Sequence, residues 1–133
     1  MLPLIAVWDE DDSFRRLCIH IATASGFRAV GYSDRVALFA DLEADCVIAE
    51  MVTATGSAGE TIRRIAARGV PVIAVSGSPL ELEALGSGAV VFLEKPFKVA
   101  TLVALLKRFA VVADEPIVRY GSIGPNETNP DPE

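Results

Sequence analysis

The sequence predicts an α/β fold in which a five-stranded parallel sheet carries helices on both of its faces. Two observations lead to this prediction. Short apolar segments, typical of buried strands, alternate five times with segments whose apolar residues recur at the 3.6-residue period of a helix. The strand segments are also continuously apolar instead of alternating with polar residues, which favours parallel strands that are covered on both faces.

Each of the five predicted strands is an apolar run that ends at a polar or small residue. They are "LIAVW" (4–8), "FRAVGY" (27–32), "DCVIA" (45–49), "VPVIAV" (70–75) and "AVVFL" (89–93). The third run ends directly at Glu50, a carboxylate at the end of a buried strand. In open parallel sheets, this end of a strand is where ligands bind.

Capping residues place the starts of the predicted helices. Asp12 is suited to cap the first helix, which Gly26 ends, and Ser33 is suited to cap the second. Ser57 and Ser78 each begin a Ser-x-x-Glu capping box ahead of the third and fourth helices.

The fifth predicted helix runs from about Val99 to Val112 and carries more apolar residues than one inward stripe requires. Its outer face is either a partner surface or is buried under the residues that follow, and the sequence leaves both open. Residues 1–113 are therefore predicted to form one domain. Residues 114–133 are rich in Gly, Pro, Asn and Asp, and they are predicted to form a flexible acidic tail.

Composition excludes several functional classes. The 133 residues carry a net charge of -6, so nucleic acid and anionic membranes are not expected as partners. The chain has neither an apolar run of membrane-spanning length nor the basic start of a signal peptide, and a cytoplasmic location is expected. Cys18 and Cys46 are predicted to be buried apolar residues, and His20 is predicted not to be a ligand or a base.

Acidic and polar residues follow four of the five predicted strands. Asp9 and Glu10 follow the first, Glu50 the third, Ser76 the fourth, and Lys95 lies just beyond the fifth. Because parallel strands end at the same edge of a sheet, we expect these side chains to converge. Three carboxylates at one place require compensation by cations, from Lys95 and from a divalent ion such as Mg²⁺.

This arrangement resembles the receiver domain of two-component response regulators, a flavodoxin-like fold, over about residues 2–112. Four segments carry the resemblance, in order and at receiver spacing. They are "VWDEDDSFRRL", "DCVIAE", "PVIAVSG" and "GAVVFLEKPF". Each segment is weak evidence alone, whereas the four together are specific.

The resemblance implies a role for each matching residue. Glu50 occupies the phosphoacceptor position, and a Mg²⁺ site is implied at Asp9, Glu10, Glu50 and the backbone carbonyl of Val52.

It further implies a switch. Ser76 is expected to bind a phosphoryl oxygen, and Phe92 is the aromatic that turns inward as the hydroxyl residue moves. Lys95 is expected to pair with the phosphoryl group or the acceptor carboxylate, held by a cis bond to Pro96.

The chain departs from the family at the position that matters most for phosphorylation. The family's phosphoacceptor is an aspartate, and Glu50 places its carboxylate one methylene farther from the backbone. Three interpretations stay open. Glu50 is a fixed charge that imitates the phosphorylated state, a relic in a module that works by binding alone, or an inefficient phosphoacceptor. The loop after it, "MVTATGSAG", also lacks the family's usual proline.

The function expected from the resemblance is that of an atypical single-domain receiver that signals through protein–protein interactions and is not an enzyme. Its expected partners are a sensor histidine kinase, a phosphotransfer protein or a downstream effector, and a homodimer through the fourth helix, fifth strand and fifth helix. The rivals are a Mg²⁺-dependent phosphoacceptor using Glu50 or a neighbouring Asp, a small-molecule-binding flavodoxin-like module and a structural dimer subunit. No Gly-rich phosphate loop follows the first strand, which counts against the small-molecule module.

Overall fold

A computed structural model describes residues 2–110 and 121–124. Their main sheet has six parallel strands in the order β2-β1-β3-β6-β7-β8. The strands of this sheet are β1 (Leu4–Trp8), β2 (Arg28–Tyr32), β3 (Cys46–Glu50), β6 (Val72–Ser76), β7 (Val91–Glu94) and β8 (Gly121–Ile123). The predicted fold class is confirmed, but the predicted number of strands, five, is wrong by one.

Five helices connect the strands within the described residues. They are α1 (Asp12–Ala24), α2 (Arg35–Ala40), α3 (Gly59–Ala66), α4 (Glu81–Gly86) and α5 (Val99–Phe109). Two apolar cores lie on opposite faces of the sheet. One, which includes Ile21 and Leu102, lies beneath α1 and α5, and the other, which includes Leu38 and Ile62, lies beneath α2, α3 and α4. Continuously apolar strands are therefore explained by burial on both faces.

The predicted helix caps are displaced. Asp11, one residue before the predicted Asp12, caps α1 by accepting from the Ser13 N–H, and Asp34, one residue after the predicted Ser33, caps α2. The two capping boxes predicted at Ser57 and Ser78 do not form, because α3 and α4 begin later in the chain and have no side-chain cap bond.

The segment after β3 is not the open loop that its composition predicts. Val52–Thr53 (β4) and Gly56–Ser57 (β5) pair as a small antiparallel hairpin. The Thr53 hydroxyl closes it by donating to the Gly56 carbonyl at 2.8 Å. The Ser57 side chain hydrogen-bonds to Glu83 on α4, so it is not available to cap α3.

The sixth strand corrects part of the predicted tail. β8 lies within residues 114–133, which were predicted to be flexible, and it pairs in parallel with β7 at the sheet edge. Composition missed it because the strand contributes one large apolar residue, Ile123, between glycine, serine and glycine. The fifth helix ends at Phe109, earlier than the predicted Val112, and Ala110 is its C-cap. The domain boundary at residue 113 lies outside the described residues and stays a prediction.

None of the helices within residues 2–110 and 121–124 has the length and apolar character needed to cross a bilayer.

Candidate functional site

The carboxyl ends of β1, β3 and β6, with the segment after β7, form one polar cavity of about 370 Å³. Its lining residues are Asp9, Glu10, Asp11, Glu50, Val52, Ser76, Gly77, Ser78 and Lys95. Parallel pairing brings these strand ends together, since β3 lies between β1 and β6 in the sheet. The predicted convergence of acidic residues, hydroxyl and lysine at one edge is therefore what the structure shows.

Glu50 uses both of its carboxylate oxygens within the protein. Oε1 accepts from the Lys95 ammonium at 2.6 Å, and Oε2 accepts from the Val52 N–H at 2.9 Å. The Glu50 side chain is 12% exposed and that of Lys95 is 26% exposed. A short, largely buried, charge-assisted bond of this kind is stronger than an exposed ion pair.

Asp9 is less well satisfied, although it lies in the same cavity. Its Oδ1 accepts from the Asp11 N–H at 2.8 Å, but its Oδ2 is buried without a hydrogen-bond partner. The nearest cation is the Lys95 ammonium, 3.9 Å from Oδ2. Burial raises the pKa of Asp9 above its ordinary value, and the Asp11 N–H and Lys95 offset this only in part.

The ammonium group of Lys95 also contacts the face of an aromatic ring. Its ammonium lies 3.7 Å from the centre of the Phe14 ring, close enough for a cation–π interaction. Phe14 in turn meets Phe97 edge to face, with ring centres 6.0 Å apart. The Lys95–Pro96 peptide bond is cis, as the resemblance implies. Contacts with Glu50, Asp9 and Phe14 together therefore fix the orientation of the Lys95 side chain.

Glu10, another predicted metal ligand, and the backbone N–H of Val52 form hydrogen bonds with other groups of the site. Glu10 accepts from the Ala54 N–H at 2.8 Å, a bond that the β4–β5 hairpin makes available. Val52 contributes its N–H to Glu50. Among the described residues, no group of three or more His, Cys, Asp or Glu side chains is arranged to hold a metal ion. The buried Asp9 Oδ2 has no hydrogen-bond partner, and a carboxylate oxygen is the kind of ligand that Mg²⁺ prefers.

Known proteins resemble both the sequence and this fold. The chain is 32% identical over 112 residues to the transcriptional regulatory protein FixJ of Azorhizobium caulinodans, which covers 77% of the chain and 53% of the relative. It spans about half the length of this curated relative. No family model matches.

Solved structures agree. The BeF3-activated DrrB receiver domain superposes with a TM-score of 0.75 at 23% identity, over 82% of this chain and 97% of that one. FixJ-N gives 0.72 at 22% identity, over 85% and 98%. Vibrio cholerae CheY4 gives 0.72 at 18% identity, over 82% and 99%. This chain has the fold of response regulator receiver domains.

Two of the predicted switch residues, Ser76 and Phe92, are buried. The Ser76 hydroxyl lies in the cavity and accepts from the Ser78 N–H at 3.1 Å. Phe92 is fully buried and belongs to the core beneath α4.

Two features of the receiver site were not predicted from the sequence. They are the contact of the Phe14 ring with Lys95 and the hydrogen bond from the Ala54 N–H to Glu10. The available signal was the position of Phe14 in the first turn of α1, directly after the acidic run. Cys18 and Cys46 are buried as predicted, and burial raises the pKa of each thiol to about 12.

Proposed function

We propose that this receiver acts in two-component or phosphorelay signal transduction by protein–protein interaction, with phosphorylation at position 50 impaired or absent. One observation carries the proposal: both oxygens of Glu50 are already bonded, to Lys95 and to the Val52 N–H. In-line attack on phosphorus depends on where the acceptor oxygen lies, and these two bonds hold the longer glutamate carboxylate in place.

The length of the glutamate side chain supports the same proposal. Its extra methylene displaces the carboxylate by at most about 1.5 Å, one C–C bond length. In-line transfer depends on positioning, and a displacement of about 1 Å costs on the order of a hundredfold in rate. The displacement instead brings a fixed negative charge to Lys95, which is the partner of the phosphoryl group in the family.

The buried Phe92 favours one interpretation of Glu50. A carboxylate paired with Lys95 together with an inward Phe92 is what a receiver held in its phosphorylated form requires. We therefore prefer the fixed-charge interpretation to the relic. On this proposal, Glu50 replaces the signal that a phosphoryl group would supply.

Magnesium binding is proposed to be weak in this receiver. The residues that would hold the ion are Asp9, through Oδ2, and Glu10 after release from the Ala54 N–H. When bound, Mg²⁺ would neutralise charge in the cavity. Lys95 already supplies one positive charge between Asp9 and Glu50, so binding of Mg²⁺ would gain less electrostatic free energy here.

The neighbouring aspartates do not favour a substitute acceptor. Asp11 caps α1, and Asp12 forms ion pairs with Arg15 and Arg16 on the same helix. Both are therefore engaged at the start of α1, where negative charge is stabilising. The proposed partners are proteins: a sensor histidine kinase, a phosphotransfer protein or an effector, met in the cytoplasm.

The test is intact mass after incubation with Mg²⁺ and acetyl phosphate, for the wild type and for Glu50→Asp. We expect no added phosphoryl group on the wild type and one on the aspartate variant, because the shorter side chain places its carboxylate where the family's acceptor lies. Glu50→Gln is the matched control, since it keeps the length of the side chain but cannot accept phosphate at that position.

Labelling of the wild type would overturn the proposal. Its loss in Glu50→Gln would then identify Glu50 as the acceptor, and its persistence would point to a neighbouring aspartate.

A further inference from the structure

A second cavity lies between the end of β1, the start of α2, the β4–β5 hairpin and α3. Its volume is about 210 Å³, and the polar residues of its wall that matter here are Trp8, Glu10, Asp34, Arg35, Thr55 and Thr61. Pockets for drug-sized ligands have volumes of about 300–1,000 Å³, so this cavity suits a smaller molecule.

The indole of Trp8 brings an unmet hydrogen-bond donor to this wall. Trp8 is 4% exposed, and its Nε1–H is buried without a partner among the residues that the structure describes. Buried indole N–H groups in folded proteins usually have a partner. A side chain that lacks one and lines an open cavity therefore points to an acceptor that binds there.

Arg35 adds a positive charge to the same wall. It is exposed at the first residue of α2, and it forms no ion pair with any other residue in the described part of the chain. A guanidinium group and an indole N–H are both donors and cannot accept. Together they favour a ligand that carries a carboxylate.

Glu10 and Asp34 supply the opposite charge. Oε1 of Glu10 accepts from the Ala54 N–H and Oδ1 of Asp34 accepts from the Ala37 N–H, both at 2.8 Å. One oxygen of each carboxylate is left to accept from a ligand, and an ammonium group is a strong donor to such an oxygen. Because two carboxylates accompany one guanidinium, the wall disfavours phosphate and other multiply charged anions.

Hydroxyl groups complete the polar wall. Thr55 lies in the turn of the hairpin, and Thr61 lies on α3 and is 2% exposed. A hydroxyl can donate or accept, so both can bond to either end of a ligand.

We propose that this cavity binds a free amino acid or another zwitterion of similar size. The carboxylate of the ligand accepts from the Trp8 N–H and from Arg35, and its ammonium donates to Glu10 and Asp34. A molecule with only one of these charged groups satisfies only one of the two sets. The proposal does not depend on whether position 50 is phosphorylated.

This site is connected to the acidic cavity through Glu10 and the hairpin. Glu10 lines both cavities. The hairpin carries Thr55 on the wall of the second cavity, and its Val52 N–H donates to Glu50 in the first. The bound amino acid is therefore a small-molecule input to this receiver.

The experiment uses the tryptophan itself as the reporter. The chain has a single tryptophan, so its indole N–H gives one resonance in a proton–nitrogen correlation spectrum. The probes are the common amino acids, each added at millimolar concentration to the full-length protein. For each one that binds, its N-acetyl derivative and its methyl ester are the controls, because each lacks one of the two charges. We expect an amino acid to shift the indole resonance and to slow its hydrogen exchange, and neither derivative to do so.

Variants of the wall locate the binding. Arg35→Gln should weaken it about tenfold and Thr61→Val about threefold, as expected for the loss of a charged and a neutral hydrogen bond. Trp8→Phe keeps a ring but removes the donor, and calorimetry should show weaker binding. Arg16→Gln, at an exposed arginine of α1, is the matched control and should bind as the wild type does. Thermal melting identifies a variant that has lost its fold, and the exposed Arg35 then decides.

Three results would overturn the proposal. If no amino acid changes the indole resonance, the cavity holds water alone. Binding that neither Arg35→Gln nor Thr61→Val weakens would lie elsewhere on the molecule. Equally tight binding of the N-acetyl derivative or the methyl ester would show that the cavity does not recognise a zwitterion.

Discussion

Two carboxylates in one cavity, those of Glu50 and Asp9, differ in how fully their oxygens are hydrogen-bonded. Glu50 has a partner for each oxygen, a lysine ammonium at 2.6 Å and a backbone N–H at 2.9 Å. Asp9 has a partner for Oδ1 alone, and its Oδ2 is buried 3.9 Å from the same ammonium. The Lys95 ammonium is thus the nearby cation for both carboxylates. It is hydrogen-bonded to Glu50, whose side chain is one methylene longer than an aspartate at this position.

This difference shows that the charge of Lys95 is shared unequally between two carboxylates of the cavity. Glu50 contacts Lys95 directly, and Asp9 has the weaker contact. The burial that raises the pKa of Asp9 is therefore only partly compensated. Variants that remove the cation, the unsatisfied acceptor or the ring beneath the cation test this interpretation separately.

The largest effect is expected from Lys95→Met. Removing the cation leaves Glu50 and Asp9 as two buried carboxylates without compensation, and we expect the free energy of unfolding to fall by about 2 kcal/mol. Urea denaturation at neutral pH measures this fall. Lys107→Met, at an exposed lysine in the last turn of α5, is the control and should change stability by at most about 0.5 kcal/mol.

A double-mutant cycle sharpens this prediction. In the Glu50→Gln background, Lys95→Met should cost about 1 kcal/mol less than in the wild type, since the main partner of the lysine has lost its charge. An equal cost in both backgrounds would show that Glu50 is not the residue that Lys95 stabilises.

A smaller effect of opposite sign is expected from Asp9→Asn. The amide oxygen keeps the bond from the Asp11 N–H, and no buried unpartnered charge remains. We expect a gain of about 1 kcal/mol at pH 7. Because burial raises the pKa of Asp9 in the folded state, the wild type loses stability as pH rises through the range just above 3.8.

The pH dependence is the decisive readout for Asp9. The gain in Asp9→Asn should shrink as pH is lowered and disappear below the ordinary pKa of 3.8, where Asp9 is protonated in both states. Glu43→Gln, at an exposed carboxylate, should show no such trend. A gain that is the same at pH 3 and pH 7 would mean that charge on Asp9 is not the cause.

The smallest effect is expected from the aromatic ring beneath Lys95. The coupling between Phe14→Leu and Lys95→Met in a double-mutant cycle should be about 0.5 kcal/mol, the value of a partly exposed cation–π contact. Phe97→Leu with Lys95→Met serves as the comparison and should give a coupling near zero. Equal coupling for both rings would assign the effect to packing.

The convergence of the site was predictable from the sequence because parallel strands end at one edge. The apolar runs identify the strands of the sheet. The parallel pairing of these strands then brings together the residues that follow them, which are Asp9, Glu50, Ser76 and Lys95. Their hydrogen-bond partners were not predictable. The Ala54 N–H reaches Glu10 only because the segment after β3 folds back as a hairpin.

The other errors arise where tertiary contacts override a local signal. Ser57 matches a capping box, but its hydroxyl bonds to Glu83, which is distant in the sequence. β8 carries almost no local strand signal, because Ile123 lies between small residues and its pairing depends on β7, about thirty residues earlier. The unpartnered oxygen of Asp9 follows from the position of Lys95, which no pattern specifies.

The parallel pairing of β8 with β7 has a mechanical consequence. α5 lies between these two strands in the chain, so the sheet holds the polypeptide on both sides of the helix. A pull applied at the carboxyl end would load the pairing of β8 before it reached α5. The pairing of this three-residue strand therefore lies between α5 and a force applied at that end.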